Sequence, residues 1–266
     1  MSASQPSPGT GRTRREPPAF RPVAVRHVER LSPRLVRVTF TGPSLEGLVV
    51  DDPAASVRLL LTTSEEPVVT WNGNEFLMPD GRRPTIRTFT PVRVATDSLE
   101  LDLDIVLHGK GAAAEWAATA APGDRAAVSG PGRGYVIDPS APTFFLAGDE
   151  SAIPAIRQLL ERLPVQTPAE VHIEVAQPDA RLPLRLPDGA TVEWHDLPPG
   201  AASGQTLVTA TTEAVLAPGA AIWVAGEAAA VQRIRRHLFE ERSRPRGRAT
   251  VRGYWKHGRS AGSDEE

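Results

Sequence analysis

Between Arg21 and about Ile137, apolar and polar residues alternate in short runs broken by Gly and Pro. Val23-Ala24-Val25-Arg26-His27-Val28, Leu35-Val36-Arg37-Val38-Thr39-Phe40 and Val57-Arg58-Leu59-Leu60-Leu61 read as strands. Leu99-Glu100-Leu101-Asp102-Leu103-Asp104-Ile105-Val106-Leu107 keeps a clean period of two, the pattern of a strand with one face on a core. Ala112 to Ala121 is a helical interruption, after which Ala126-Ala127-Val128-Ser129-Gly130-Pro131 returns to strand and turn. Many short strands with such turns predict a small antiparallel β-barrel.

Beyond Pro139 to Pro142, which reads as a linker, the rhythm changes. Thr143-Phe144-Phe145-Leu146-Ala147-Gly148 is a continuous apolar strand, followed by an amphipathic helix from Ala152 to Leu163. Further strands are expected at Val171–Ala176, Thr191–His195, Ala221–Gly226 and Ala249–Tyr254, with a helix from Glu227 to Arg242. Strands alternating with helices predict a doubly wound parallel sheet that binds a nucleotide at the carboxyl ends of its strands. The expected organisation is a tail at 1–18, a β-barrel at 19–138, an α/β domain at 139–259 and a tail at 260–266.

Composition narrows the chemistry. With 266 residues, 40% hydrophobic and 23% charged, the chain is globular and long enough for two domains. A net charge of −2 argues against a general nucleic-acid binder. No run approaches eighteen apolar residues, so no membrane span is expected. Met1 to Pro18 lacks the apolar segment of a secretory signal, which leaves the cytoplasm as the expected location. There is no cysteine, which removes thiolate zinc sites and cysteine-ligated clusters, so electron handling would need an organic cofactor.

Five segments carry candidate chemistry. Arg87-Thr88-Phe89-Thr90 places a cation, two hydroxyls and a ring along one strand end, a set suited to a flavin dinucleotide. An ordinary half-buried strand accounts for the same residues. His108-Gly109-Lys110-Gly111-Ala112-Ala113-Ala114-Glu115-Trp116-Ala117 follows a strand and opens a helix, where small residues let backbone amides approach a pyrophosphate. A plain strand–turn–helix junction has the same pattern. Gly148-Asp149-Glu150-Ser151-Ala152-Ile153-Pro154 begins a helix with Ser151 as candidate N-cap and Pro154 in the first turn. Ala225-Gly226-Glu227 repeats the strand–Gly–acid–helix form, and the two are expected at opposite ends of one sheet. In Gly253-Tyr254-Trp255-Lys256-His257-Gly258-Arg259 two aromatics precede cationic groups, which suits a planar anionic partner. Arg181 is a candidate for a nucleotide 2′-phosphate.

Together these segments resemble the siderophore-interacting protein family, flavin-dependent ferric-siderophore reductases related to ferredoxin–NADP reductases. The resemblance runs from about Phe20 to Arg259. The family's arginine–x–tyrosine–threonine motif matches Arg87 to Thr90 with Phe89 in place of tyrosine. The histidine–glycine to tryptophan–alanine segment matches His108 to Ala117, with Ala112 where proline is usual. Gly148 to Ala152 matches with Ser151 for threonine, and Ala225 to Glu227 and Gly253 to Trp255 match two further motifs. The resemblance implies that NADPH or NADH reduces FAD, which passes electrons to Fe(III) in a siderophore. It implies catalytic roles for Thr90 and Ser151. Cofactor contacts are expected from Arg87, Thr88, Phe89, Thr90, His108, Gly109, Gly111, Ala112, Ala113, Trp116, Asp149, Glu150, Ser151, Ala225, Gly226, Glu227 and Trp255. Lys256 and Arg259, at the end of the last strand, are the candidate docking cations for an anionic chelate. No protein-held metal is implied, and a monomer is expected. Two other readings stay open: a general flavin reductase feeding a partner protein through the basic C-terminus, and a non-enzymatic siderophore-binding module.

Overall fold

The computed structural model describes residues 16–62, 68–107 and 111–258. Its first half contains β1 (Arg21–Ser32), β2 (Leu35–Thr41), β3 (Val57–Leu61), β4 (Thr70–Trp71), β5 (Phe76–Leu77), β6 (Ile86–Phe89), β7 (Pro91–Ala95), β8 (Glu100–Val106), helix α1 (Ala112–Thr119) and β9 (Arg125–Ser129). Seven of these strands form one antiparallel sheet in the order β6-β3-β9-β1-β2-β8-β7, and β4 pairs with β5 separately. The two edge strands, β6 and β7, are separated in sequence by Thr90 alone. The sheet is therefore curled into a half-barrel whose edges meet at that residue.

The alternation read from β8 divides its two faces. Leu101, Leu103 and Ile105 are buried with Val23, Val25, Val36, Val38 and Phe40. On the opposite face Asp104 receives Arg37 Nε at 2.7 Å and Nη2 at 2.9 Å, and Asp102 receives Thr39 Oγ1 at 2.8 Å. Both partners stand directly across the β2–β8 ladder, so the polar row is built from cross-strand pairs. Helix α1 packs onto this barrel through Trp116, whose ring stacks on Phe40 with centroids 5.9 Å apart.

The second half contains β10 (Phe144–Asp149), α2 (Ile153–Arg162), β11 (Ala169–Val175), β12 (Ala190–Asp196), α3 (Gln205–Glu213), β13 (Ala221–Glu227), α4 (Ala228–Arg236) and β14 (Ala249–Trp255). The sheet is parallel throughout, in the order β12-β11-β10-β13-β14. The continuous apolar run of β10 follows from burial on both faces. Phe144 and Leu146 pack with Ile153, Ile156 and Leu159, while Phe145 and Ala147 pack with Leu207, Val208, Val231 and Ile234. The chain moves outward from β10 to β12 and then returns to the other side for β13. The order thus reverses between β10 and β13, where an open α/β sheet forms its ligand crevice.

Two sequence expectations change here. The motifs ending β10 and β13 are not at opposite ends of the sheet; their strands are hydrogen-bonded neighbours. The single helix expected from Glu227 to Arg242 is α4 followed by a π-helical turn from His237 to Glu241. No helix among the described residues is long and apolar enough to cross a membrane.

Candidate functional site

The crevice is organised around Asp149, the last residue of β10 and 6% exposed. Its Oδ1 accepts hydrogen bonds from the Ser151 amide at 2.9 Å and the Ser151 hydroxyl at 2.5 Å. Its Oδ2 accepts from the Glu227 amide at 2.8 Å and from Trp255 Nε1 at 2.7 Å. One carboxylate therefore ties together the ends of β10, β13 and β14. Burial pushes its pKa up to about 6 against the opposing effect of those donors, with the nearby Glu174 carboxylate adding to the rise. Asp149 itself caps the short 3-10 turn that leads into α2, so Ser151 is not the N-cap expected from its position. Capping by Asp149 leaves the Ser151 hydroxyl as a donor to the capping side chain.

Glycine is required at two places around this carboxylate. A Cβ on Gly226 would lie 2.7 Å from Asp149 Oδ2, and one on Gly148 would lie 2.4 Å from Ala152 Cβ and 3.0 Å from the Ala225 carbonyl. Small residues let the two strand ends and the first helical turn approach closely. Glu227 caps α4, accepting from the Ala229 and Ala230 amides at 2.7 and 3.0 Å. Glu150 is buried too, but it faces the barrel: Arg34, in the β1–β2 turn, donates Nε to its two oxygens at 3.0 and 3.1 Å. The Ala176 amide adds a third bond at 2.8 Å.

On the barrel side, Arg87 and Phe89 share one face of β6 across from Leu59 and Val57. Phe89 packs against the barrel core. Arg87 is half-buried, its guanidinium donates to the Ile86 carbonyl at 2.7 Å, and loss of solvent lowers its pKa. Thr88 is exposed, whereas Thr90 is buried. Thr90 lies beside Tyr254 of β14, a residue whose phenol is pushed up in pKa by burial. That proximity sets the barrel seam against the end of the parallel sheet. Gly111 is the extended residue before α1, no side chain among the described residues caps that helix, and Ala112 and Ala113 form its half-buried first turn. A desolvated guanidinium, an exposed hydroxyl and the first amides of a helix are donors of the kind that a dinucleotide pyrophosphate accepts. Trp116 turns one ring face to Phe40 and the core.

At the far end, β14 finishes at Trp255, which puts exposed Lys256 beside the crevice. The His257 amide reaches Glu227 Oε1 at 3.3 Å. His108, Gly109 and Arg259 lie outside the described residues. Arg181 pairs with Asp196, Nη2 to Oδ2 at 2.5 Å. Sequence reasoning missed Arg34 as the partner of Glu150, and it noted Tyr254 without placing it beside Thr90. Neither belongs to a local pattern: Arg34 and Glu150 are 116 positions apart.

Two family models match the chain in succession, "Siderophore-interacting FAD-binding domain" over residues 24–135 and "Siderophore-interacting protein" over residues 141–258. The crystal structure of a siderophore utilization protein from T. fusca is 35% identical, with a TM-score of 0.78 over 94% of this chain and 97% of that one. The NADPH-dependent ferric-chelate reductase of Escherichia coli is 30% identical over 255 residues, 89% of this chain and 92% of the relative. The ferric vibriobactin reductase ViuB of Vibrio cholerae is 29% identical over 238 residues, 86% of this chain and 87% of the relative. With both halves matched in order and the fold shared end to end, the chain belongs to the siderophore-interacting protein family.

Proposed function

We propose that the protein is an FAD-dependent, NAD(P)H-consuming reductase of ferric siderophores that releases iron as Fe(II) in the cytoplasm. The observation that carries the reading is the Arg34–Glu150 pair, which holds the barrel against the end of β10 and so sets the candidate flavin domain beside the candidate nucleotide crevice. The names of the Escherichia coli and Vibrio cholerae relatives support the same chemistry. The overall balance is one reduced nucleotide and two Fe(III) giving oxidised nucleotide, one proton and two Fe(II). Bound FAD supplies the conversion of a hydride into single electrons.

In this reading the chain binds and orients. Arg87, the Thr88 hydroxyl and the amides at Gly111, Ala112 and Ala113 would hold the pyrophosphate; His108 and Gly109, candidates for the same role, lie outside the described residues. Thr90, beside Tyr254, would offer its hydroxyl to the bound flavin, while Phe89 and Trp116 would contribute packed rings on the barrel side. Asp149, Ser151, Ala225, Gly226, Glu227 and Trp255 shape the nucleotide crevice. The Ser151 hydroxyl is held in a fixed orientation by Asp149. Glu150 acts by fixing the two halves through Arg34. The siderophore supplies the ligands of its own iron.

The test is anaerobic steady-state reduction of several ferric siderophores with NADPH and with NADH, on protein loaded with FAD. Turnover that requires the ferric chelate is expected, and Arg87→Ala should lower flavin retention at least tenfold through loss of a charge-assisted phosphate contact. Oxidation of nucleotide that proceeds only with an added acceptor protein would replace this reading by a general flavin reductase.

A further inference from the structure

A second cluster of chemistry-bearing side chains stands on the α3 side of the parallel sheet, at its β12 edge. In the β11–β12 register His172 is level with Glu193 and Glu174 with His195, so these side chains share one face with Glu170. Strands of a parallel sheet are normally apolar on both faces. Here β12 instead carries Thr191, Glu193 and His195 on the face where α3, only nine residues long, begins beyond the strand's end. Glu174 is fully engaged at the start of α3, accepting from the Gly204, Thr206 and Leu207 amides and the Thr206 hydroxyl. The remaining groups are not needed for capping.

Their geometry is that of a ligand set. His172, 5% exposed, has Nε2 at 2.7 Å from Glu170 Oε1. That contact fixes the proton on Nε2 and leaves the Nδ1 lone pair directed outward, as a carboxylate behind a ligating imidazole does. The lone pair meets His195 Nε2 at 2.9 Å, and the two rings are stacked with centroids 5.1 Å apart. Glu193 completes the group, with Oε2 at 3.8 Å from His172 Nδ1 and Oε1 at 3.9 Å from His195 Nδ1. One donor atom from each of the three residues lies within 4.8 Å of the others. Two nitrogens about 2.1 Å from one tetrahedral ion stand about 3.4 Å apart, so the rings admit the ion by separating roughly half an ångström and each turning about 35° toward it.

We propose that His172, His195 and Glu193 form a binding site for a divalent first-row transition ion such as Zn2+, Co2+ or Fe2+, with Glu170 as the positioning residue behind His172. Two imidazoles and one carboxylate select these ions over Mg2+ and Ca2+, which take oxygen ligands. On binding, the proton that His195 Nε2 donates to His172 moves to His195 Nδ1, beside the Glu193 carboxylate. No net proton release is required. Three protein ligands leave one coordination position open to water or an exogenous donor.

The experiment uses the full, untagged chain at pH 7.5, titrated with ZnCl2 by calorimetry and with CoCl2 by visible absorption. One equivalent of each ion and a cobalt spectrum of four- or five-coordinate form are expected. His195→Gln should weaken binding at least 100-fold, and Glu193→Gln and Glu170→Gln about tenfold each, with circular dichroism and FAD content unchanged. Because flavin content is read in parallel, failure of the metal site and failure of the reductase reading are separate results. Absence of stoichiometric binding, or titration of His195→Gln and Glu193→Gln like the parent, overturns the proposal.

Discussion

Asp149 shows how one side chain can set the pH response of the crevice. Its folded pKa of about 6 lies above the ordinary 3.8, so the folded protein holds this proton more tightly than the unfolded chain. Stability from that difference is complete below pH 3.8 and is lost as pH rises through 6. Asp149→Asn lacks the titration but also turns an amide nitrogen toward donors, which costs stability at every pH. The deficit of this variant should therefore be largest near pH 4 and shrink by about 3 kcal/mol by pH 7, measured by urea denaturation. The acid was legible in the sequence because it follows Gly148 at the end of an apolar strand. Its donors were not, since Glu227 and Trp255 lie 78 and 106 positions away and converge only through strand order. The same holds for Ser151, where local spacing favoured a cap that its neighbour provides.

The turn between β1 and β2 and the start of α2 form the clamp between the two sheets. Arg34 is the only cation that the described contacts give Glu150, and the carboxylate is buried. Arg34→Ala should cost about 2 kcal/mol in urea denaturation, since it leaves a desolvated charge with one amide donor. Adding Glu150→Gln should then cost less than Glu150→Gln alone costs in the parent, the signature of a coupled pair. Gln158 of α2 reinforces the clamp, donating to the Pro91 carbonyl at 2.7 Å and accepting from the Ala54 amide at 2.8 Å. Periodicity located the longer strands, because alternation in β8 and continuous apolar runs in β10 and β13 record burial on one face or two, but it did not mark the short β4, β5 and β7. It could not record that β10 and β13 are neighbours, since strand order depends on crossovers rather than on the strands themselves. The π-helical turn after α4 was equally silent, because its residues keep a helical apolar pattern.

The molecule as a whole carries a net charge of −2, so attraction of an anionic ferric chelate must be local. Exposed Lys256 follows β14 at the crevice and is the described candidate. Under the proposed function, Lys256→Ala should raise the apparent KM for an anionic ferric siderophore about threefold at low ionic strength. The difference should shrink at high salt, while nucleotide-driven flavin reduction without siderophore stays intact. The two-part architecture was readable from the change of rhythm after residue 142, whereas the way its parts join was not. That joint has a consequence for chain length. Val57 is paired with Phe89 on one edge and Pro91 with Leu103 on the other, leaving Thr90 as the whole of the closing segment. Strand side chains change sides with every residue. An insertion of a single residue there would satisfy one ladder only by reversing the parity of the other, and would carry the Thr90 hydroxyl away from Tyr254. Length at this point is thus a counted quantity, set by the two ladders that meet there.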